Sequence, residues 1–344
     1  MVPCYNCIST LDRTVDSLLN QKLSTASPTI NYQIVLVNDG STDSTPQKCN
    51  EYADKYPNIS VIHKTNGGLV DAWKTGVKNA KGTYIAFCDS DDYIDQDYVD
   101  AIINVINQHH PDMIVYGMTV EYDNGETIRS DVLLEEGFYD KQRIDSHILP
   151  ILLSNGNMET TLIKPSRCNK VFIKQLLDRI VDDVPQNISM GEDEVTSFAA
   201  AINMDSIYCI KGYYPYHYIR NTESMIGAYD EGTFDKIGLI YKTLKAISVK
   251  YDYAYSDQVE KEILSIMFLY MKKEICKNPS GMRVVLKKLA SICETDAFKR
   301  CLEAGTIENY SLSKKIFAGC ICRKWYILAY SMTKIYEGIR GRKV

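Results

Sequence analysis

The sequence predicts an α/β fold over residues 1–225, a parallel sheet covered by helices, followed by a mostly helical region over 226–344. Three observations carry this. Short β-rich apolar runs alternate with helical stretches through the first 110 residues, the pattern of strand–helix–strand units. Each run ends in a polar loop of turn-forming residues. Beyond Asn221 the pattern turns helical, with proline absent outside Asn278-Pro279-Ser280-Gly281. At 344 residues, 45% hydrophobic and 24% charged, the chain has material for a sizeable core and two domains, with a boundary near 225.

Taken in order, strands are expected at 33–37, 59–63 and 83–88, and helices near 12–20, 44–56, 68–79 and 95–108. Val and Ile fill the first two strands, and Asp43 or Ser44 stands where a helix cap is needed. Residues 111–220 continue the same domain, with strands at 113–116, 161–163 and 206–210. A helix over 195–202 is opened by Met190-Gly191-Glu192-Asp193-Glu194, whose acids also suit a helix N-terminus through its dipole.

In parallel sheets ligands bind beyond the carboxyl ends of the strands. The loops there are Asn38-Asp39-Gly40-Ser41-Thr42-Asp43, His63-Lys64-Thr65-Asn66-Gly67-Gly68 and Asp89-Ser90-Asp91-Asp92. Turn formation alone explains any one of them; three converging on one rim point to a binding site. The third is the most informative. Three carboxylates within four positions repel one another, so a fold that puts them at a strand end normally supplies a divalent cation. Aspartate oxygens suit Mg²⁺ or Mn²⁺. The plain alternative is an N-cap for the helix that begins near Asp95.

The net charge of -5 hides an asymmetry: residues 311–344 hold eight cations against Glu337 alone, so the remainder is strongly acidic. That argues against nucleic-acid binding by the main body. Eleven cysteines without regular spacing read as reduced thiols in a cytosolic protein, and thiolate metal binding has little support because Cys4/Cys7 and Cys320/Cys322 lack a partner pair at zinc spacing. No signal peptide or transmembrane run is apparent.

Six motifs occur in a telling order: Val2-Pro3-Cys4-Tyr5-Asn6, Asn38-Asp39-Gly40-Ser41-Thr42-Asp43, Asn66-Gly67-Gly68, Lys81-Gly82-Thr83-Tyr84-Ile85-Ala86-Phe87, Asp89-Ser90-Asp91-Asp92 and Gly191-Glu192-Asp193. With them, residues 1–225 resemble family 2 glycosyltransferases of the GT-A fold, of the bacterial polysaccharide-biosynthesis type. The resemblance implies a mixed sheet flanked by helices and a nucleotide-sugar donor, most often a UDP-sugar, lying across the strand ends. It places Pro3 and Tyr5 near the base, Asp39 as hydrogen-bond acceptor for uracil, and Asn66, Gly67, Asp89 and Ser90 along the donor. It gives Asp91 the metal, with Asp92 and His217 as further candidates. Asp193 matches the base that deprotonates the acceptor hydroxyl in inverting members, and like-charge repulsion from a close Glu192 would favour that role. The acceptor class implied is a glycan or polyprenyl-linked glycan.

The chain departs from the pattern in three places. It opens at Met1-Val2, so most of the first strand is expected to be missing, through a mis-assigned start or a truncated record. Ala72-Trp73-Lys74 stands where an Ala-Arg-Asn stretch is common. Tyr216-His217-Tyr218-Ile219-Arg220-Asn221 replaces a Tyr-His-Tyr-Arg segment, and a buried structural role for His217 competes with the metal role. The Gln-x-x-Arg-Trp element of processive synthases is absent, which points to transfer of single residues.

In the tail, Ile316, Phe317, Cys320, Ile321, Ile327, Leu328, Met332 and Ile335 gather on one side of a helical wheel, interrupted by Lys324. A basic amphipathic helix can lie on an anionic membrane, here the inner face of the plasma membrane; the alternative is packing on neighbouring helices with a solvated basic face. Two rival functions remain. A sugar-nucleotide nucleotidyltransferase calls for a glycine-rich basic loop that Cys4-Tyr5-Asn6-Cys7 does not provide. A non-catalytic nucleotide-binding scaffold is favoured by the short first strand and Trp73, and opposed by Asp91 and Asp193.

Overall fold

The computed structural model describes residues 1–24, 32–153, 162–220, 229–305 and 310–340. The chain forms two compact units, Met1–Leu149 with Leu162–Thr222, and Pro150–Thr161 with Glu223–Val344. The boundary expected near 225 falls outside the described residues.

The first unit opens with β1 (Val2–Cys4), α1 (Leu11–Leu19), β2 (Ile34–Asp39), α2 (Thr45–Lys55), β3 (Ile59–Lys64) and α3 (Leu69–Asn79). The strands form a parallel sheet in the order β1-β2-β3, with Val2 opposite Leu36 and Ile34 opposite Ile59. β2 is buried along its whole length, as its continuous apolar run requires of a strand covered on both faces. Val35 and Val37 pack against Ala72 of α3, with Met1 and Ile62 at the margin. β1 is short yet fully integrated. Beyond it, the Met1 amino group donates to Ala86 O at 2.9 Å and Cys88 N donates to Met1 O at 3.0 Å, joining this sheet to the next.

There follow β4 (Tyr84–Ala86), β5 (Tyr93–Ile94), α4 (Tyr98–His109), β6 (Met113–Tyr116), β7 (Met118–Tyr122), β8 (Thr127–Ser130), β9 (Gly137–Tyr139) and the single turn α5 (Lys141–Arg143). After them come β10 (Lys170–Ile173), α6 (Lys174–Ile180), α7 (Glu192–Asn203), β11 (Ile207–Ile210) and β12 (Tyr216–Arg220). One sheet runs β4-β10-β6-β11-β9 and another β5-β12-β7-β8. β10 is antiparallel to both β4 and β6. The architecture is thus mixed, not the purely parallel sheet that the alternation alone suggested. The strand expected at 161–163 is corrected too: residue 161 lies outside the described residues, residues 162 and 163 form a bend, and the strand is Lys170–Ile173.

The second unit is helical: α8 (Thr233–Lys250), α9 (Asp257–Lys277), α10 (Met282–Glu294), α11 (Asp296–Ala304), α12 (Leu312–Cys322) and α13 (Tyr326–Arg340). Phe268 of α9 meets Phe298, Tyr310 and Phe317 edge to face, with ring centroids 6.0, 6.4 and 6.4 Å away. The tail is two helices, not one. Lys324, the residue that broke the wheel, sits in the left-handed region at φ 61 between them. Phe317, Cys320 and Ile321 of α12 are buried, whereas Ile327, Leu328, Met332 and Ile335 of α13 are exposed. No described helix is long and apolar enough to cross a membrane.

Candidate active site

The rim is built from three interlocked loops. β2 delivers Asp39, 3% exposed, to the start of α3, where it accepts hydrogen bonds from Gly67 N at 2.9 Å and Gly68 N at 2.8 Å and pairs with Lys64. Gly40 turns the chain at φ +69, and a Cβ there would stand 2.6 Å from Asn66 N. Glycine is required on both counts, conformation and space. Across the rim, Asn6 Oδ1 accepts from Thr42 N at 2.8 Å, and Asn6 N donates to Ser41 Oγ at 3.0 Å. Asp43 Oδ1 caps the first turn of α2 through Thr45 N at 2.9 Å.

The acidic loop is held from below by α1. Thr10 Oγ1 donates to Ser90 O at 2.8 Å, Thr14 Oγ1 to Asp92 O at 2.7 Å, and Arg13 to Asp91 O. From β12, the Tyr216 hydroxyl accepts from Asp89 N at 3.1 Å and donates to Asp92 Oδ2, while Ile219 N donates to Asp92 Oδ1 at 2.8 Å. Asp92 is fully buried and both its oxygens are engaged. Burial and the Asp89 charge push its carboxyl up to about 8. Asp91 is the exposed carboxylate of the run, and Asp89 is half-buried. Burial raises the Asp89 carboxyl to about 6; Arg167 opposes the rise, and Asp193 and Asp91 add to it. Those charges therefore lie within electrostatic reach of Asp89.

Asp193 stands in the first turn of α7, after Gly191 in the left-handed region. Its side chain is 35% exposed, and its Oδ1 pairs with Nε of the buried Arg167. Arg167 Nη2 lies 3.7 Å from Glu192 Oε1. The guanidinium carbon sits 5.3 Å from the centre of the Trp73 ring and 5.5 Å from that of Phe87. Burial, with the Asp193 charge adding to it, raises the Glu192 carboxyl, and Arg167 counters.

Asp89 thus lies within electrostatic reach of Asp91 and Asp193; of the residues expected along the donor, Tyr5 and Asn66 are exposed and Pro3 and Gly67 half-buried. The structure changes the reading of four residues. Asp92 anchors the loop from within instead of offering an oxygen to a metal. His217 is held by Glu121 at Nδ1 (2.7 Å) and Asp95 at Nε2 (3.1 Å) and stacks on Tyr93 at 4.2 Å, so neither ring nitrogen is free for a cation. Asp39 already holds the Gly67-Gly68 turn, so any bond to a base would be an additional one. Ser90 serves the loop through its carbonyl, which Thr14 Oγ1 also meets at 3.0 Å. Arg167, Lys170 and the Tyr216 hydroxyl carry the site without having been singled out in the sequence; a lone arginine in Pro-Ser-Arg-Cys has no periodic or motif signal.

Among the described residues no three His, Cys, Asp or Glu side chains converge to ligate a metal by themselves. One or two carboxylates are a donor set that suits Mg²⁺ or Mn²⁺ when substrate phosphates and water complete the shell, and Asp91 and Asp89 are the residues that would supply them.

The fold is α/β, and carboxylates gather in the loops beyond its strand ends. Residues 1–158 match the family described as glycosyl transferase family 2. The domain belongs to that family, and the chain is a glycosyltransferase. It is 26% identical over 312 residues to the putative glycosyltransferase EpsH of Bacillus subtilis, covering 88% of this chain and 84% of EpsH. It is 26% identical over 277 residues to the poly(ribitol-phosphate) beta-N-acetylglucosaminyltransferase TarS of Staphylococcus aureus, covering 79% of this chain and 44% of TarS. The crystal structure of S. aureus TarS 1–349 in complex with UDP-GlcNAc superposes with a TM-score of 0.66 at 21% identity, over 98% of this chain and 90% of that one. That likeness shows a shared GT-A fold, helical C-terminal region included.

Proposed function

We propose that the chain is an inverting, metal-dependent transferase that moves one sugar from a UDP-sugar to a hydroxyl of a glycan or polyprenyl-linked glycan in cell-surface polysaccharide synthesis. What supports this reading is that Asp89 lies within electrostatic reach of both Asp91 and Asp193, so that a donor side and a base side can belong to one site. In this reading Tyr5 and Pro3 face the base, Asp91 and Asp89 hold the cation with the diphosphate, and Asp193 takes the acceptor proton. Mn²⁺ or Mg²⁺ would stabilise the negative charge that grows on the departing UDP, more in the transition state than before it. UDP-GlcNAc, the ligand of the TarS complex, is the first donor to try.

The test is the thermal unfolding midpoint with UDP, with Mn²⁺ and with both, followed by UDP release from a panel of UDP-sugars. A ligand at 100 times its Kd adds about 2.7 kcal/mol. A rise only with both, kept in Asp193→Asn while transfer is lost, is expected; full turnover by Asp193→Asn would remove the base assignment.

The membrane partner belongs to this proposal as well. The exposed Trp325, Ile327, Leu328 and Ile335 on and beside α13, with Arg323 and Lys324 nearby, support docking on an anionic surface at the cytoplasmic face. Arg342 and Lys343 lie outside the described residues. Co-sedimentation with anionic but not neutral vesicles, lost in Ile327→Asp/Ile335→Asp, tests it.

A further inference from the structure

We propose that Arg167 is the positioning residue for Asp193, fixing the carboxylate by one oxygen so that the other faces the acceptor hydroxyl. The inference rests on the reading of Asp193 as the base.

Arg167 is 3% exposed, and a guanidinium taken out of water is costly unless its N–H groups are paired. Here the pairing is incomplete. Nε pairs with Asp193 Oδ1 by charge but without hydrogen-bond geometry, Nη2 lies at the edge of reach of Glu192, and Nη1 is buried with no hydrogen-bond partner among the described residues. A cation kept for stability alone would be fully satisfied. Its charge acts on the Asp193, Glu192 and Asp89 carboxylates, with Asp193 the nearest contact.

Its placement is rigid at both ends. The guanidinium lies against the Trp73 and Phe87 rings, which favour a cation at these distances. The backbone that carries it is clamped by buried Lys170, whose Nζ donates to Lys164 O, Ser166 O and Asn169 Oδ1. Tyr116 joins the same loop, its hydroxyl donating to Cys168 O at 2.9 Å and its carbonyl accepting from Asn169 Nδ2 at 3.1 Å. Ser197, one turn beyond Asp193 on α7, donates its hydroxyl to Pro165 O at 2.5 Å. The loop bearing the arginine and the helix bearing the aspartate are thus tied together independently of the ion pair. Without Arg167, an aspartate in an open first turn is free to change rotamer, and misplacement by about 1 Å is worth about 100-fold in rate.

The test is kinetics of Arg167→Met and Arg167→Lys, alone and combined with Asp193→Asn, alongside UDP–Mn²⁺ binding. Arg167→Met is expected to lower kcat about 100-fold with the Kd for UDP changed less than about threefold. Arg167→Lys, which keeps the charge but not the planar fork, is expected to recover part of the loss, and it carries the kinetic comparison with wild type if the Met variant does not fold. Because the arginine acts through Asp193, Arg167→Met/Asp193→Asn should be no slower than Asp193→Asn. Losses that multiply, or a wild-type kcat in both single variants, overturn the proposal. A crystal structure of a folded Arg167 variant provides an arm that needs no substrate. An unmoved Asp193 carboxylate defeats the positioning role, whereas a displaced carboxylate in a protein whose wild type turns over no nucleotide sugar counts against the transfer reading alone.

Discussion

Tyr216 donates its hydroxyl hydrogen to Asp92 at 2.6 Å while accepting from the Asp89 amide at 3.1 Å, so one side chain of β12 fixes both ends of the acidic run. Removing that oxygen leaves a buried carboxylate oxygen and a peptide N–H without partners, each worth about 1–3 kcal/mol. Tyr216→Phe should therefore lower stability by about 2 kcal/mol or more and weaken UDP–Mn²⁺ binding. Urea unfolding reads the first and calorimetry the second; an unchanged midpoint would show that the bridge is slack.

Asp91 and Asp92 should separate cleanly. Asp91→Ala removes an exposed carboxylate and is expected to abolish Mn²⁺-dependent UDP binding at nearly wild-type stability. Asp92→Ala should do the reverse in order of severity, lowering the unfolding midpoint first, because Tyr216 and Ile219 lose their acceptor. Thermal scans with and without UDP and Mn²⁺ distinguish the two; equal stability loss in both variants would contradict the division of roles.

Gly40→Ala asks an alanine to adopt φ +69 and sets its Cβ 2.6 Å from Asn66 N. The left-handed conformation alone costs about 1–2 kcal/mol, and the neighbour is backbone, which yields poorly. A loss above about 2 kcal/mol in urea unfolding is expected, with weaker UDP binding because Asn66-Gly67-Gly68 must move.

Glu194 is buried on α7, and Oε1 has no hydrogen-bond partner among the described residues. Burial pushes its carboxyl from 4.5 up to about 7. The folded state therefore holds a proton that the unfolded chain has released between those values, so stability falls as pH rises through that window. Glu194→Gln should gain on wild type by roughly 3 kcal/mol between pH 4 and 7, and little beyond. Parallel stability–pH curves for the two proteins would refute the shift.

Much of the site was legible because its loops end buried strands. The uninterrupted Ile34–Val37 segment marks β2 from composition alone, and the polar residues that follow can only lie at its carboxyl end. β10 was less visible: it begins with a buried lysine that reads as surface, while Thr-Leu-Ile at 161–163 has β-type composition, although its described residues, 162 and 163, form a bend. The distinction between Asp91 and Asp92 was out of reach for a similar reason. It depends on a tyrosine more than a hundred positions away, and no local pattern records which of two adjacent carboxylates turns inward. Arg167 likewise gains its meaning only from Trp73 and Asp193, which three separate parts of the chain bring together.

The threonines and arginine of α1 hold the acidic loop by the carbonyls of Ser90, Asp91 and Asp92, never by their side chains. The loop's shape is consequently indifferent to the chemistry that Asp91 displays. A lineage could exchange that aspartate and keep an intact, well-folded nucleotide cradle, so activity in this architecture can be lost or redirected by drift that leaves no scar on the scaffold.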